Sequence, residues 1–510
     1  MNDPTPHHGI DLFLPAAYSK NSLGIGEYLD LIPIIYWCKK VGFDLIQLLP
    51  LNDSGADPSP YNILSSVALN PVYLRLDALT GPRLPSSLST QLKKLHKKLH
   101  PKESPYSTVL QEKLLWLQEY YIATMPYWSH NKEYLQFRAD HPWLNTYALF
   151  KTLKSTCGDH PWETWAPMYR NPNSSIKQAL FREFEECISF YALCQYLCFV
   201  QLEEVHRIAR QENLLLKGDL PILVSRDSAD VWSAPHLFDL TKAAGAPPDA
   251  YSVKGQYWGF PPPNWCAIEK EGYQFWKQRL EVASLFYDIY RLDHAVGFYR
   301  IWGILLGKDS ENGAYIPKDP KEWIPQGEKI LRTLLSSSTM QPIAEDLGII
   351  PQEVRTSLEE LGIPGVKILR WERFYDTTGA YIPYEEYPVL SLSSVSTHDS
   401  STLGGWWIED EEGARAFCAF KEWTYIPHLA YNQRLSILKD VHSTSSRFHV
   451  NLLQEYFALF PDLVALTPSE ERINIPGEFS TKNWSYRYKN SMETWMSHQP
   501  LIEAISQILP

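Results

Sequence analysis

Eight short runs of nearly continuous apolar residues limit what this chain can fold into. They are GIDLFLP (9–15), FDLIQLLPLN (43–52), LLLKGDLPILV (214–224), LFYDIYRLDH (285–294), QPIAEDLG (341–348), GVKILRWE (365–372), LSSVSTHD (392–399) and ERINIPGE (471–478). A strand with one wet face alternates apolar and polar side chains. A strand buried on both faces does not, and such strands belong to parallel sheets covered by helices. Helical patterns lie between the runs; PQEVRTSLEELG (351–362) spaces its apolar residues for a helix and has a glycine just past its end. Strand and helix in alternation, with eight strands, predict an α/β fold of the (β/α)8 TIM-barrel type.

Two spans break the alternation. Residues 78–213 hold long helical patterns, such as STVLQEKLLWLQEYYIATM (107–125), and no strand run of comparable strength. They predict a helical insertion after the second strand, which divides the chain into 1–77, the start of the barrel, 78–213, and 214–510, its remainder. Residues 225–284 are dense in Gly, Pro and aromatics and are expected to be mostly loop. Long irregular segments of compact domains serve as lids or binding loops, so 245–265 is a candidate lid after the third strand. No repeat at a solenoid period is visible, and MSHQPLIEAISQILP (496–510) reads as a closing helix.

Composition narrows the partners. A net charge of −12 argues against a nucleic-acid footprint, which needs a basic face. The one basic run, KKLHKKLHPK (93–102), spaces its Lys and His as a solvated helix face would. The seven cysteines form no C-x-x-C pair, which favours free thiols in a reducing compartment. The first residues, MNDPTPHHGIDLFLP, carry no basic segment ahead of an apolar stretch, and no run reaches 18 apolar residues. A cytoplasmic protein without a membrane partner is expected; oligomeric state is not legible. Eighteen Trp and thirty Tyr fill cores, and their faces also stack on ring-shaped ligands.

Three acids fall at the carboxyl ends of predicted strands: Asp293 in YRLDH, Glu345 in PIAEDLG and Asp399 in SVSTHD. That end of a barrel is where catalytic residues gather. The spacings place them on strands four, five and seven. One isolated acid there could cap a helix or pair with an arginine, but three converging carboxylates repel one another unless cations or hydrogen bonds hold them. Arg291, His294 and His398 stand beside them in sequence. Residues two apart in a strand share a face, so Arg291 is expected to hold Asp293 ionised. A metal site is the competing reading of His and Asp at strand ends, although no H-x-H or H-E-x-x-H spacing occurs.

With these residues in view, the chain resembles the 4-α-glucanotransferases (amylomaltases, or disproportionating enzymes) of the α-amylase clan. The likeness runs from about residue 9 to 490 and rests on many motifs in order: SLGIGEY (22–28), SPYN (59–62), ALNPVYL (68–74), GDLPI (218–222), DSADVW (227–232), PPDAYSVKGQYWG (247–259), RLDH, IAEDLG, IPGVKIL (363–369), STHD, NIPG (474–477) and NW (483–484). The resemblance implies that Asp293 is the nucleophile, Glu345 the general acid/base and Asp399 the carboxylate assisting the transition state. It implies that Arg291, His294 and His398 contact the nucleophile or the sugar just upstream of the cleaved bond. Tyr61 would stack on that sugar, Asp219 would be a structural carboxylate below the site, and Gln256 with Trp258 would form a lid beside the acceptor.

No cofactor or metal is implied, and the partners are maltooligosaccharides or larger α-glucans. Retaining chemistry needs one ionised and one protonated carboxyl about 5 to 5.5 Å apart, so Glu345 needs a raised pKa. STHDSSTLGGWW (396–407) and HAVGFYRIWGI (294–304) resemble the plant-type enzymes, whose long insertion and starch-binding modules have no counterpart here. Pro261, Pro262 and Pro263 depart from the family pattern and stiffen the lid. An α-glucan hydrolase of the same clan and a catalytically inactive glycan-binding protein are the alternatives.

Overall fold

Seven of the eight predicted runs carry a strand of one parallel sheet. The computed structural model describes residues 5–248, 254–375, 378–478 and 480–510. Twelve strands occur among them: β1 (His7–Leu12), β2 (Leu45–Leu48), β3 (Leu215–Leu220), β4 (Lys242–Ala246), β5 (Gln256–Tyr257), β6 (Ile289–Leu292), β7 (Ile301–Leu305), β8 (Ala314–Ile316), β9 (Gln341–Ala344), β10 (Gly365–Ile368), β11 (Ser391–Ser394) and β12 (Phe448–Leu452). Eight of them pair in the order β10-β11-β12-β1-β2-β3-β6-β9, every pair parallel. The amide of Ala344 donates to the Pro364 carbonyl at 2.8 Å and draws the two ends of this nearly closed barrel together.

The eighth strand corrects the sequence reading. It is FHVNL at 448–452, not ERINIPGE at 471–478. Its His449 and Asn451 are buried and hydrogen-bonded, so the apolar signal was interrupted by polar groups satisfied inside the fold. Residues 471–478 leave a short 3-10 turn (Pro468–Glu471) and run irregularly past the barrel mouth, as Pro476 and Gly477 dictate. The span 225–284 is also more ordered than expected: β4 and β5 belong to an antiparallel sheet, order β5-β4-β7-β8, and helices cover Ala229–Ser233, Trp265–Lys270 and Gln274–Ala283.

Six α-helices of nine residues or more fill the span between β2 and β3, from Ser86–Lys98 to Glu185–Gln211. Lys93, Lys94, Lys97 and Lys98 are exposed on the first of them, while Leu88, Leu92 and Leu95 are buried beneath. Leu193, Leu197 and Leu202 of the last helix join Ile34, Ile35 and the outward side chains Ile46 and Leu48 of β2 in one large core. A second, smaller core gathers Leu45, Ile289, Ile343, Val366, Ile368, Leu392, Phe448 and Val450. Because side chains alternate along a strand, Ile289 shares its face with Arg291, and Ile343 shares its face with Glu345. The apolar cluster is therefore the floor inside the barrel, and the charged groups lie above it.

All seven cysteines are free thiols. Among the described residues no helix is long and apolar enough to cross a membrane.

Candidate active site

Arg291 on β6 is the centre of the site. It lies opposite Asp219 in the β3–β6 register and opposite Ile343 in the β6–β9 register. Its Nη1 donates to Asp219 Oδ2 at 2.9 Å and to Asp293 Oδ1 at 2.7 Å, and its Nη2 stands 3.8 Å from Glu345 Oε2. One guanidinium thus touches three carboxylates from strands β3, β6 and β9. The Asp219 side chain is 2% exposed, whereas those of Asp293 and Glu345 are 21% and 15% exposed. Asp219 is an anchor beneath, and the other two reach into the open mouth.

Glu345 is held by backbone as well. Its Oε2 accepts the His294 amide at 2.9 Å, and its Oε1 accepts the Leu347 amide at 3.0 Å. The first bond depends on a left-handed backbone at His294, with φ of 44°, which turns the amide toward the neighbouring strand. Burial pushes the Glu345 carboxyl up to about 7, with Asp293 adding to the rise and Arg291 and the Leu347 amide opposing it. The His294 imidazole is lowered to about 4, chiefly by burial. It is neutral near pH 7, and Trp258 meets its ring edge-on at 4.9 Å.

Asp399 is positioned differently. It stands beyond β11 in a loop, and its side chain is 43% exposed. Burial of its carboxyl favours the neutral form, but His398 at 3.4 Å and a 2.7 Å bond from Asn474 Nδ2 outweigh this and bring it down to about 2. Burial disfavours the His398 cation, and Asp399 outweighs that to raise the imidazole pKa. The Tyr61 hydroxyl donates to Asp219 at 2.6 Å and lies 3.0 Å from His398 Nε2; its ring stacks on His398 at 5.4 Å. Trp484 closes this wall, 5.7 Å from Tyr61 and 6.0 Å from His398.

On the other side, β5 brings Gln256 and, just past it, Trp258 to the edge of the mouth. Trp258 Nε1 donates to Gln256 Oε1 at 3.0 Å, and a side chain at Gly477 would lie 3.8 Å from Gln256 Cγ. The proline run is buried at the base of the lid, where Pro263 bridges Phe238 and the Asp239 amide donates to the Pro262 carbonyl at 2.8 Å. Residues 249–253 of the expected lid lie outside the described residues.

The structure brings together Asp219, Arg291, Asp293, Glu345, His294, Tyr61, His398 and Asp399, with Gln256 and Trp258 at the edge. Asn474 was missed as a site residue, because nothing in NIPG marks which side chain faces the mouth. Trp484 was missed because its left-handed backbone, φ of 62°, is invisible in sequence. A deeper polar layer was also missed: Gln47 Nε2 donates to Asp11 Oδ2 at 2.7 Å and Lys217 Nζ to Gln47 Oε1, in register across β1, β2 and β3. The signal existed, since a charge inside an apolar strand run costs free energy unless it is paired.

Comparison with known proteins accords with this arrangement. The family model described as 4-alpha-glucanotransferase matches residues 13–493. A 4-alpha-glucanotransferase of Chlamydia pneumoniae is 42% identical over 99% of this chain and 95% of the relative, and one of Chlamydia trachomatis is 41% identical over 98% and 94%. Among solved structures, an amylomaltase from Streptococcus agalactiae in complex with acarbose superposes with a TM-score of 0.82 at 23% identity, covering 99% of this chain and 98% of its own, a likeness of fold. The chain belongs to the 4-alpha-glucanotransferase family.

Proposed function

We propose that the chain transfers a segment of an α-1,4-glucan to the 4-hydroxyl of an acceptor by a retaining double displacement at the Arg291 centre. In the first step Asp293 attacks C1 of the donor sugar. The C1–O4 bond breaks as Glu345 gives its proton to the departing oxygen, leaving a glycosyl ester on Asp293. In the second step the 4-hydroxyl of the incoming glucan loses its proton to Glu345 and attacks C1, which frees Asp293. Asp399 stabilises the positive charge that develops on the sugar ring in both steps.

The observation that carries this reading is the single guanidinium shared by Asp219, Asp293 and Glu345, with Glu345 raised to about 7. A group poised there both donates and recovers a proton near neutrality. The two amides on Glu345 support its carboxylate form, and burial supports its acid form, so neither state is locked. Tyr61, His398 and Trp484 offer a ring-stacking wall on the donor side, and Trp258 with Gln256 covers the acceptor side. Such cover favours a sugar hydroxyl over water. Maltooligosaccharides and larger α-glucans are the substrates, in line with the acarbose bound to the streptococcal amylomaltase.

Incubation with maltotriose tests the reading. A ladder of longer maltooligosaccharides with glucose is the expected product. Glucose and maltose alone would instead identify a hydrolase, and no turnover at all would leave a glycan-binding protein.

A further inference from the structure

The three carboxylates are not equally supported. Asp293 and Glu345 immediately follow Leu292 and Ala344, the last residues of β6 and β9. Asp399 stands five positions beyond Ser394, the last residue of β11, and is the most exposed of the three. A loop residue that must meet developing charge needs its geometry imposed from elsewhere, because a misplacement of about 1 Å can cost on the order of 100-fold in rate.

Beneath that loop lies Glu455, in the short helix Leu453–Phe457 that follows β12. The residue is 2% exposed. Its Oε1 accepts the Ser396 hydroxyl at 2.5 Å and the Leu403 amide at 2.8 Å. These two donors bracket the segment that bears His398 and Asp399. Arg434 lies alongside, close enough that a side chain at Gly404 would meet its Nη2 at 2.6 Å. Glu455 Oε2 is buried without a hydrogen-bond partner among the described residues. From the side, Asn474 completes the support: its amide donates to the His398 carbonyl at 3.2 Å and its side chain to Asp399.

We propose that Glu455 is a positioning residue for glucan transfer: by tying Ser396 to Leu403 it sets the height and orientation of Asp399 under the reacting sugar. The proposal rests on Asp399 acting in the transition state, as read above. Glu455 reaches the chemistry only through the loop, and His398 on that loop is held separately by Tyr61 and Trp484, so its removal lowers kcat far more than it alters the binding of ground-state sugar.

The test is a mutant cycle measured on maltotriose disproportionation. Glu455→Met, which removes the acceptor oxygens at similar volume, is expected to lower kcat by roughly 10- to 100-fold with KM changed by less than about threefold. Glu455→Gln retains one acceptor oxygen and is expected to recover most of the rate. Ser396→Ala removes a single donor and is expected to lower kcat a few-fold in the same sense, and it carries the test should Glu455→Met fail to fold. In an Asp399→Asn background neither change should lower the residual rate further. Wild-type kcat in both variants, a loss confined to KM, or a full additional loss in the Asp399→Asn background would overturn the proposal. An Asp399→Asn enzyme with wild-type rate would instead remove the reading on which it rests.

Discussion

Two buried ionic clusters in this molecule use the same residue types to opposite ends. At the seam between the barrel and the helical span, Glu27 and Asp30 face Arg75 and Lys113. Arg75 binds both acids, and Lys113 donates to Glu27 at 2.6 Å and to the Val72 and Leu74 carbonyls at 2.6 and 3.0 Å. Asp30 also accepts the Ser22 hydroxyl and the Glu27 amide. The Glu27 and Lys113 side chains are wholly buried. Two anions meet two cations, and the remaining lone pairs are satisfied, which is what a buried ion cluster must achieve to persist.

At the barrel mouth three acidic groups share Arg291, and part of the Asp293 and Glu345 side chains stays accessible. The seam is balanced and closed; the mouth is short of positive charge and open. Burial lifts Glu345 to about 7, with Asp293 adding to the rise, and that places it in the range where it can exchange protons. Charged burial therefore does not by itself mark function; what separates the two clusters is that the carboxylates of the mouth keep oxygens open to solvent.

The contrast can be broken most severely at the mouth. Asp293→Asn keeps the shape and removes the carboxylate proposed to attack, so transfer is expected to fall by on the order of 10⁴-fold or more with unfolding temperature little changed. Product analysis on maltotriose together with a melting curve checks both halves. At the seam the expectation inverts. Lys113→Met leaves Glu27 with Arg75 as its one cation and takes the donor from the Val72 and Leu74 carbonyls in a dry site, and is expected to cost about 3 kcal/mol or more of stability, read by denaturant unfolding. Its rate per folded molecule at low temperature should stay near wild type.

Smaller changes sharpen the comparison. Asn474→Ala removes a hydrogen bond to a charged carboxylate, worth at most roughly 1.5 to 3 kcal/mol of stability, and should lower kcat about tenfold or more with a stability loss no larger than that. Glu345 supplies the pH signature. Its pKa is raised, so the proton needed in the first step is present below about 7 and lost above it. The rate is expected to fall roughly tenfold per pH unit above that point, and Glu345→Gln should abolish this limb. The sign for stability is consistent, because a carboxyl raised in the folded state weakens folding as pH climbs from its ordinary value of 4.5 toward 7.

The barrel was legible because strands buried on both faces read as continuous apolar runs. FHVNL escaped for the opposite reason: His449 and Asn451 find partners inside, and sequence does not display partners. The small antiparallel sheet escaped too, since KAAGA at β4 is too small and weakly apolar to read as a strand, although Ala243 and Ala244 are fully buried. Within the site, Arg291 and Asp293 were legible through period-two geometry on one strand. The left-handed turn at His294 and the reach of Asn474 from a distant loop depend on tertiary contacts that no local pattern encodes.

The division of labour around Arg291 is tested most directly by trapping the intermediate. Incubating the Glu345→Gln enzyme with a fluorinated maltosyl fluoride and mapping the modified peptide by mass spectrometry should place a glycosyl ester on Asp293. An ester on Asp399, or inverted products with no ester at all, would contradict the account.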